Sequence, residues 1–108
     1  IDPVDLCTIL TNLLDNALEA CRKLPEAYAK MLSVTIRRIN QFIIIQIANS
    51  CIEEPVISKG NFKTSKTDKR HHGWGMKNVR LAVEKYHGTM EYEYNKNMFI
   101  VSVMLFYQ

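Results

Sequence analysis

Three kinds of signal are scarce in this sequence. Cysteine is one: Cys7, Cys21 and Cys51 are an odd number at spacings that match no metal site. They read as reduced thiols of a cytosolic protein, and Cys7 and Cys21, on a predicted helix, as small apolar packing residues. Long apolar runs are another. Runs such as Phe42 to Ile45 and Met98 to Val101 fall far short of the roughly 20 residues a membrane helix needs, and no signal peptide opens the chain. Charge imbalance is the third, since a net charge of +3 is too small to imply nucleic acid as a partner. The sequence also lacks internal repeats, low-complexity tracts and the Gly-Lys-Ser/Thr ending of a Walker-type phosphate loop, which is thereby excluded.

What remains is enough for one domain over residues 1–108, long enough to bury a core without disulfides. Asp2-Pro3 is a helix start, with Asp2 as N-cap and Pro3 at the first helical position. Leu6, Ile9, Leu10, Leu13, Leu14, Ala17 and Cys21 then recur at helical spacing, and Pro25 ends or kinks the helix. Ser33 to Ile39 alternates, with Val34, Ile36 and Arg38 on one side and Thr35 and Arg37 on the other. Asn40-Gln41 is a tight turn, and isoleucine-rich Phe42 to Ala48 is a central, buried strand. Residues 50 to 73 hold Pro55, Gly60, Gly73 and many charges with little apolar periodicity, the composition of a functional lid or a disordered segment. Gly75 to Tyr86 is a second helix with Gly88 as its C-terminal cap. Thr89 to Tyr94 and Met98 to Phe106 form a hairpin around Asn95-Lys96-Asn97. This order predicts an α/β (α+β) two-layer sandwich, a mostly antiparallel mixed sheet with helices on one face.

Two motifs carry chemistry. In Asn12-Leu13-Leu14-Asp15-Asn16-Ala17-Leu18-Glu19-Ala20, the residues Asn12, Asn16, Glu19 and then Lys23 follow one helical stripe. An unpaired buried amide costs roughly 1–3 kcal/mol. Such amides either cap nearby backbone and face water, or meet a partner such as a hard divalent cation with phosphate oxygens. The second motif is Lys63-Thr64-Ser65-Lys66, followed by His72-Gly73-Trp74-Gly75-Met76-Lys77-Asn78-Val79. Glycines let backbone approach an anion, and free N–H groups at a helix start point toward it. Lys59, Lys63, Lys66, Lys69, Arg70, His71 and His72 fall in the loop before it, either as a solvated loop or as an attraction for a triphosphate.

On these residues the chain resembles the ATP-binding domain of sensor histidine kinases, the Bergerat-type (GHKL) fold shared with gyrase and MutL. The match within that family is closest to Agr-type peptide-pheromone receptor kinases, and it extends through residues 80 to 106. The resemblance implies ATP and Mg²⁺ as cofactors, with Asn16 as metal ligand and Asn12 one turn earlier near the phosphates. It implies a lid at residues 54–72, with Lys66, His72 and the backbone of Gly73, Gly75 and Met76 holding phosphates. The implied reaction moves the γ-phosphoryl group of ATP to a histidine, mostly by positioning and charge neutralisation; no residue is assigned as catalytic. Asn49 would read adenine, accepting from its amino group through the amide oxygen.

Departures sharpen this reading. Where the wider family has Asp-x-Gly-x-Gly, this chain has Asn49-Ser50-Cys51-Ile52-Glu53, which predicts weaker adenine recognition; the pheromone-receptor branch also carries Asn there. Glu19 stands where many histidine kinases have a cation, shifting phosphate contacts to Lys23 or the lid. Trp74 replaces a usual aliphatic residue. Related ATPases place a Glu base at the position of Asn12, and an amide cannot act as a general base. That favours a kinase over an ATPase. His71, His72 and His87 have no phospho-acceptor context. The resemblance therefore implies an N-terminally trimmed cytoplasmic domain of a bacterial membrane receptor, connected to the membrane only through an N-terminal region. Its partners would be its own dimerisation and phospho-acceptor segment and a downstream response regulator, and a bare sheet edge could pair with another copy as a homodimer. Two alternatives stand beside the kinase: a non-catalytic nucleotide-sensing or interaction module, and an anti-sigma-type serine kinase of the same fold.

Overall fold

The computed structural model describes residues 1–52, 57–58, 61–62 and 69–107, with backbone alone for 57–58, 61–62 and 69–75. The first helix, α1 (Pro3–Arg22), begins where the sequence predicts. Asp2 is extended at ψ 129°, and its carboxylate accepts from the Val4 N–H at 2.8 Å, satisfying one of the helix's open donors. Ile9, Leu13, Ala17 and Cys21, one per turn, form its buried stripe. The helix stops ahead of Pro25, whose ring disfavours helical backbone at Leu24. A turn follows, closed by the Tyr28 N–H on the Pro25 carbonyl at 3.0 Å.

Two strands come next, β1 (Leu32–Ile39) and β2 (Phe42–Ser50), joined by Asn40-Gln41 with Asn40 at φ 55°. A small hairpin, β3 (Ile57–Ser58) and β4 (Asn61–Phe62), precedes the second helix, α2 (Lys69–Lys85). The last hairpin is β5 (Thr89–Asn95) and β6 (Met98–Phe106). Lys96 and Asn97 both sit at positive φ, 50° and 61°, as a two-residue turn matched to strand twist requires.

The main sheet has the order β1-β2-β6-β5. Every described pairing in it is antiparallel, so the mixed sheet expected from sequence is not found among the described strands. Register aligns Ile36, Ile45, Val103 and Met90 across the four strands, and Val34, Ile47, Val101 and Tyr92 in the next inward row. On this face Ile45, Ile47, Phe99, Val101, Val103 and Leu105 join Ile9, Leu13 and Ala17 of α1 and Met76, Val79, Ala82 and Val83 of α2 in one core. Each fully buried side chain of this kind contributes about 1.5–3 kcal/mol. The two helices thus lie together on one side of the sheet, as expected.

Three details differ from the sequence reading. Helix α2 starts at Lys69 rather than Gly75, so Gly73, Trp74 and Gly75 lie inside it and not in a turn at its start. The apolar face of Met76, Val79 and Val83, docked on the core, outweighs the roughly 1 kcal/mol that each interior glycine costs. At the other end, the left-handed residue of the cap is His87, at φ 54°, not Gly88. The Gly88 N–H reaches the Val83 carbonyl and the His87 N–H the Glu84 carbonyl, both at 3.0 Å, which is the Schellman pattern. Gly88 is small for another reason: a Cβ there would stand 2.1 Å from the Met104 carbonyl oxygen of β6. Finally, of the two cysteines on α1, Cys7 is exposed and Cys21 is buried.

The helices are also tied at one end. The Tyr86 hydroxyl, just past α2, donates to the Asp5 carboxylate and accepts from the Asp2 N–H at 2.9 Å. Lys85 Nζ reaches the same Asp5 oxygen at 2.9 Å. The Tyr86 hydroxyl, and after it the Lys85 ammonium, hold the Asp5 carboxyl below its ordinary range, while Asp5 raises Lys85 and Tyr86 above theirs.

Candidate functional site

Helix α1 places Asn12 and Asn16 one turn apart, both half-buried. The Asn12 Nδ2 donates to the Thr8 carbonyl at 2.9 Å, so the nitrogen end of that amide is tied to its own helix. Asn16 reaches out of its helix instead. Its Nδ2 donates to the Met76 sulfur of α2 at 2.6 Å, across sixty residues of sequence. The two motifs singled out from sequence therefore touch. Glu19, a turn further on, pairs with Arg22 at 3.4 Å near the surface, an interaction of little energetic weight. Lys23 is exposed at the C-cap.

Asn49 lies near the end of β2, opposite Phe99 of β6 and on the inward face. It is only 3% exposed. Its Nδ2 donates to the Ser50 carbonyl at 3.0 Å, and among the described residues no donor meets its Oδ1. A buried acceptor left in this way costs roughly 1–3 kcal/mol unless something supplies a donor. An amino group of a bound base is such a donor. The stretch after it is pinned from several sides. The Met31 N–H donates to Ser50 Oγ and the Ser50 N–H to the Met31 carbonyl, both at 2.9 Å. The Cys51 N–H bonds to the Asn97 carbonyl at 2.9 Å, and the Tyr94 hydroxyl donates to the Cys51 carbonyl at 3.3 Å. Sequence reasoning missed Met31, Tyr94 and Asn97 in this role, since a backbone clasp of this kind leaves no residue pattern.

The phosphate side is changed by the early start of α2. The N–H groups without a partner inside a helix are those of its first turn. Within the helix they fall on residues 69–71, ahead of His72 and of the Gly73 to Met76 stretch that the sequence suggests. The expected lid, residues 54–72, overlaps α2 at its end, and β3 and β4 lie within it. Lys66, with the rest of the Lys63 to Lys66 motif, lies outside the described residues. Met76 is described, and its side chain is 0% exposed. Its contribution is a buried thioether against Asn16, a role that the sequence reading, which assigned only its backbone, did not contain.

Among the described residues no group of three or more His, Cys, Asp or Glu side chains could hold a metal ion. The donors at hand are amide oxygens of α1. Mg²⁺ takes six oxygen ligands and usually keeps several waters while binding one or two protein groups and substrate phosphates. The donor set fits that mode, in which the nucleotide supplies the rest, and does not fit a metal held by protein alone. No helix of the described residues is long and apolar enough to cross a membrane.

Comparison with known proteins accords with this arrangement. The chain matches the GHKL domain family over residues 1–106. Curated protein sequences give no match. Among solved structures, the chain is similar to the Acinetobacter baumannii histidine kinase AdeS, at 20% identity and a TM-score of 0.68, covering 97% of this chain and 47% of that one. It is similar to the catalytic domain of histidine kinase ThkA at 19% identity and a TM-score of 0.71, covering 97% of this chain and 68% of that one. A third likeness is to the histidine kinase domain of the Erythrobacter litoralis EL346 blue-light activated histidine kinase, at 10% identity and a TM-score of 0.67, covering 94% and 42%. The chain thus spans about half the length of AdeS. At these identities the likenesses establish the shared fold.

Proposed function

From the premise that this chain belongs to the GHKL domain family, we propose that it is the ATP-binding catalytic domain of a two-component sensor histidine kinase. It transfers the γ-phosphoryl group of ATP to a histidine on a separate dimerisation segment. The observation that carries this reading is the meeting of Asn16 with Met76, which brings the amide stripe of α1 against the glycine-bearing helix α2. Asn49, with its buried amide oxygen, reads the adenine amino group. Asn16 holds Mg²⁺, with Asn12 beside the phosphates, and Mg²⁺ supplies neutralisation of triphosphate charge. The sequence motifs assign Lys66 and His72 to the phosphates, and the first-turn N–H groups of α2 are the helix donors suited to an anion.

The finer placement rests on sequence. The Lys63 to Lys66 and His72 to Val79 motifs support a position beside the Agr-type pheromone receptor kinases. With it come a bacterial membrane receptor, of which this is the cytoplasmic catalytic part, a quorum-sensing signal and a downstream response regulator. The exposed edge strand β1 supports pairing between two copies.

Calorimetric titration of Mg²⁺·ATP into this domain, with Trp74 fluorescence in parallel, tests the proposal. Binding in the micromolar-to-millimolar range is expected. Asn16→Ala weakens it roughly tenfold to a hundredfold, the scale of one lost charge-assisted interaction of about 1.5–3 kcal/mol. A folded wild-type sample that binds no nucleotide sinks the proposal. A non-catalytic nucleotide module is the second reading, favoured by the neutral Asn49 at the adenine position. Phosphoryl transfer to a supplied acceptor domain separates the two: a module binds ATP and transfers nothing.

A further inference from the structure

The face of the main sheet turned away from the helices is apolar along its middle. An antiparallel sheet covered on one side ordinarily alternates, with polar residues outward. Here the outward positions of the two central strands carry apolar side chains as well: Phe42 and Ile44 on β2, and Met98, Ile100, Met104 and Phe106 on β6. Register sets them opposite to buried Ile45 and Val103, and the Phe42 and Phe106 rings meet edge to face with centroids 5.7 Å apart. All six are only half-buried. Both described helices lie on the other side, and no described helix or strand lies over this face. The isoleucine run of β2 has the composition of a strand buried on both faces, yet only one is covered.

The flanking strands carry opposite charges on the same face. Strand β1 presents Ser33, Thr35 and Arg37, with Ile39 extending the apolar band at one end, and β5 presents Thr89, Glu91 and Glu93. Arg37, Glu91 and Glu93 are exposed, and none has an ion-pair partner among the described residues. An apolar centre between polar rims is the anatomy of an interface. We infer that this face binds a second copy of the chain, sheet against sheet, about a two-fold axis parallel to the strands. Charge commits the face to that occupant. Such an axis, running between β2 and β6, lays β1 of one copy over β5 of the other. Arg37 shares its row with Ile44, Met104 and Thr89, so it meets the second copy's β5 at Thr89, with Glu91 one row, about 7 Å, further along. Sheets packed in this aligned way stand about 10 Å apart, a gap that an arginine and a glutamate bridge together. The contact occurs twice, once on each side of the axis. An axis running across the strands through the middle row would instead set Glu91 against its own copy. Nine-residue central strands in a sheet of four, spaced about 4.8 Å, give a face of roughly 30 by 19 Å. That is below the roughly 800 Å² each partner buries in a standard interface, so the dimer is weak and reversible.

This face is separate from the β1 edge, so every protein in the test carries Ile36→Lys, which blocks pairing through that edge. Sedimentation velocity over a concentration series at low salt reads the monomer–dimer equilibrium of three proteins. One carries Ile36→Lys alone, one adds Arg37→Glu, and one adds Glu91→Lys with Glu93→Lys. The first dimerises with a Kd in the micromolar-to-millimolar range. Each charge-reversed protein alone associates at least about tenfold more weakly, because like charges now meet at both contacts. An equimolar mixture of the two recovers the starting affinity, since both contacts of the mixed dimer again join opposite charges. Ile44→Lys, added to the first protein, places a charge in the apolar centre and abolishes association. The reversals lie at exposed positions, and urea midpoints within about 0.5 kcal/mol of the starting protein verify that each remains folded. Three results overturn the inference: a first protein that stays monomeric up to millimolar concentration, charge reversals that leave association unchanged, or a mixture no more associated than its parts. The test uses no nucleotide, so its failure leaves the nucleotide reading untouched.

Discussion

Gly88 is the most constrained single residue described. It follows a left-handed His87, so the chain has already reversed when it arrives, and it passes directly over the backbone of β6. Gly88→Ala would drive a methyl group to within 2.1 Å of the Met104 oxygen, where backbone and not a flexible side chain must yield. We expect a loss of about 1–3 kcal/mol, the usual cost of overpacking. Urea unfolding of the two proteins checks it, and a midpoint unchanged from wild type would refute it. The need for glycine here was visible in the sequence, but its reason was not. Helix-end spacing identifies a cap, whereas close approach to a strand sixteen residues further on depends on tertiary structure. The same limit applies to the functional residues. Asn12 and Asn16 could be picked out because amides beside an apolar helical stripe are anomalous, and Asn49 only through its position in the family resemblance. The side-chain contact of Met76 with Asn16 could not, because a methionine on an apolar stripe looks like any other core residue.

The element scale is set by the pair α1 and α2, held together at one end by Asp5, Tyr86 and Lys85 and further along by Asn16 and Met76. The first of these ties is pH-sensitive on both sides. Asp5 has its carboxyl lowered in the folded state, mainly by the Tyr86 hydroxyl, so its contribution is present above the ordinary carboxylate range and is lost as pH falls through the lowered value. Tyr86 and Lys85 are raised, so theirs is present below about 10 and is lost as pH climbs through the raised values. Asp5→Asn should therefore lower the unfolding midpoint at pH 7, with the gap to wild type closing toward pH 3. Parallel denaturation curves across that range decide it: a gap that stays constant with pH would place the effect in packing rather than in charge. The start of α2 was the element that sequence misplaced. Gly73 and Gly75 argue against a helix interior, but the apolar face that follows them is docked on the core, and the helix carries back through them to Lys69.

At the scale of the whole molecule, the layer order, the strand count outside residues 53–68 and the core stripe of α1 were all legible. Apolar residues recur with the helical period in α1, strands alternate, and short Asn-containing turns mark both reversals. How far each strand is covered was not legible. Val34 and Ile36 face the same side as buried Ile47 and Ile45, yet they are 42% and 54% exposed, because β1 is the edge of the main sheet. A half-bare apolar edge is a template for pairing with another chain. Ile36→Lys should reduce concentration-dependent association in sedimentation velocity while leaving stability within about 0.5 kcal/mol, as exposed substitutions usually do. Identical sedimentation of the two proteins would remove β1 as the pairing surface.

The sheet register has one more consequence. Each outer hairpin joins neighbours in sequence and can form within about 1–10 μs. The central pair does not: Ser50 aligns with Met98, so β2 and β6 meet only after the chain between them, α2 included, has closed on itself. That closure is the slow, topology-limited step of folding. Its entropy grows only with the logarithm of loop length, about 0.6 kcal/mol per doubling. Residues between β2 and α2 can therefore be lengthened or shortened at small thermodynamic cost, which leaves that stretch of sequence free to diverge in length while the pairing of β2 with β6 is kept.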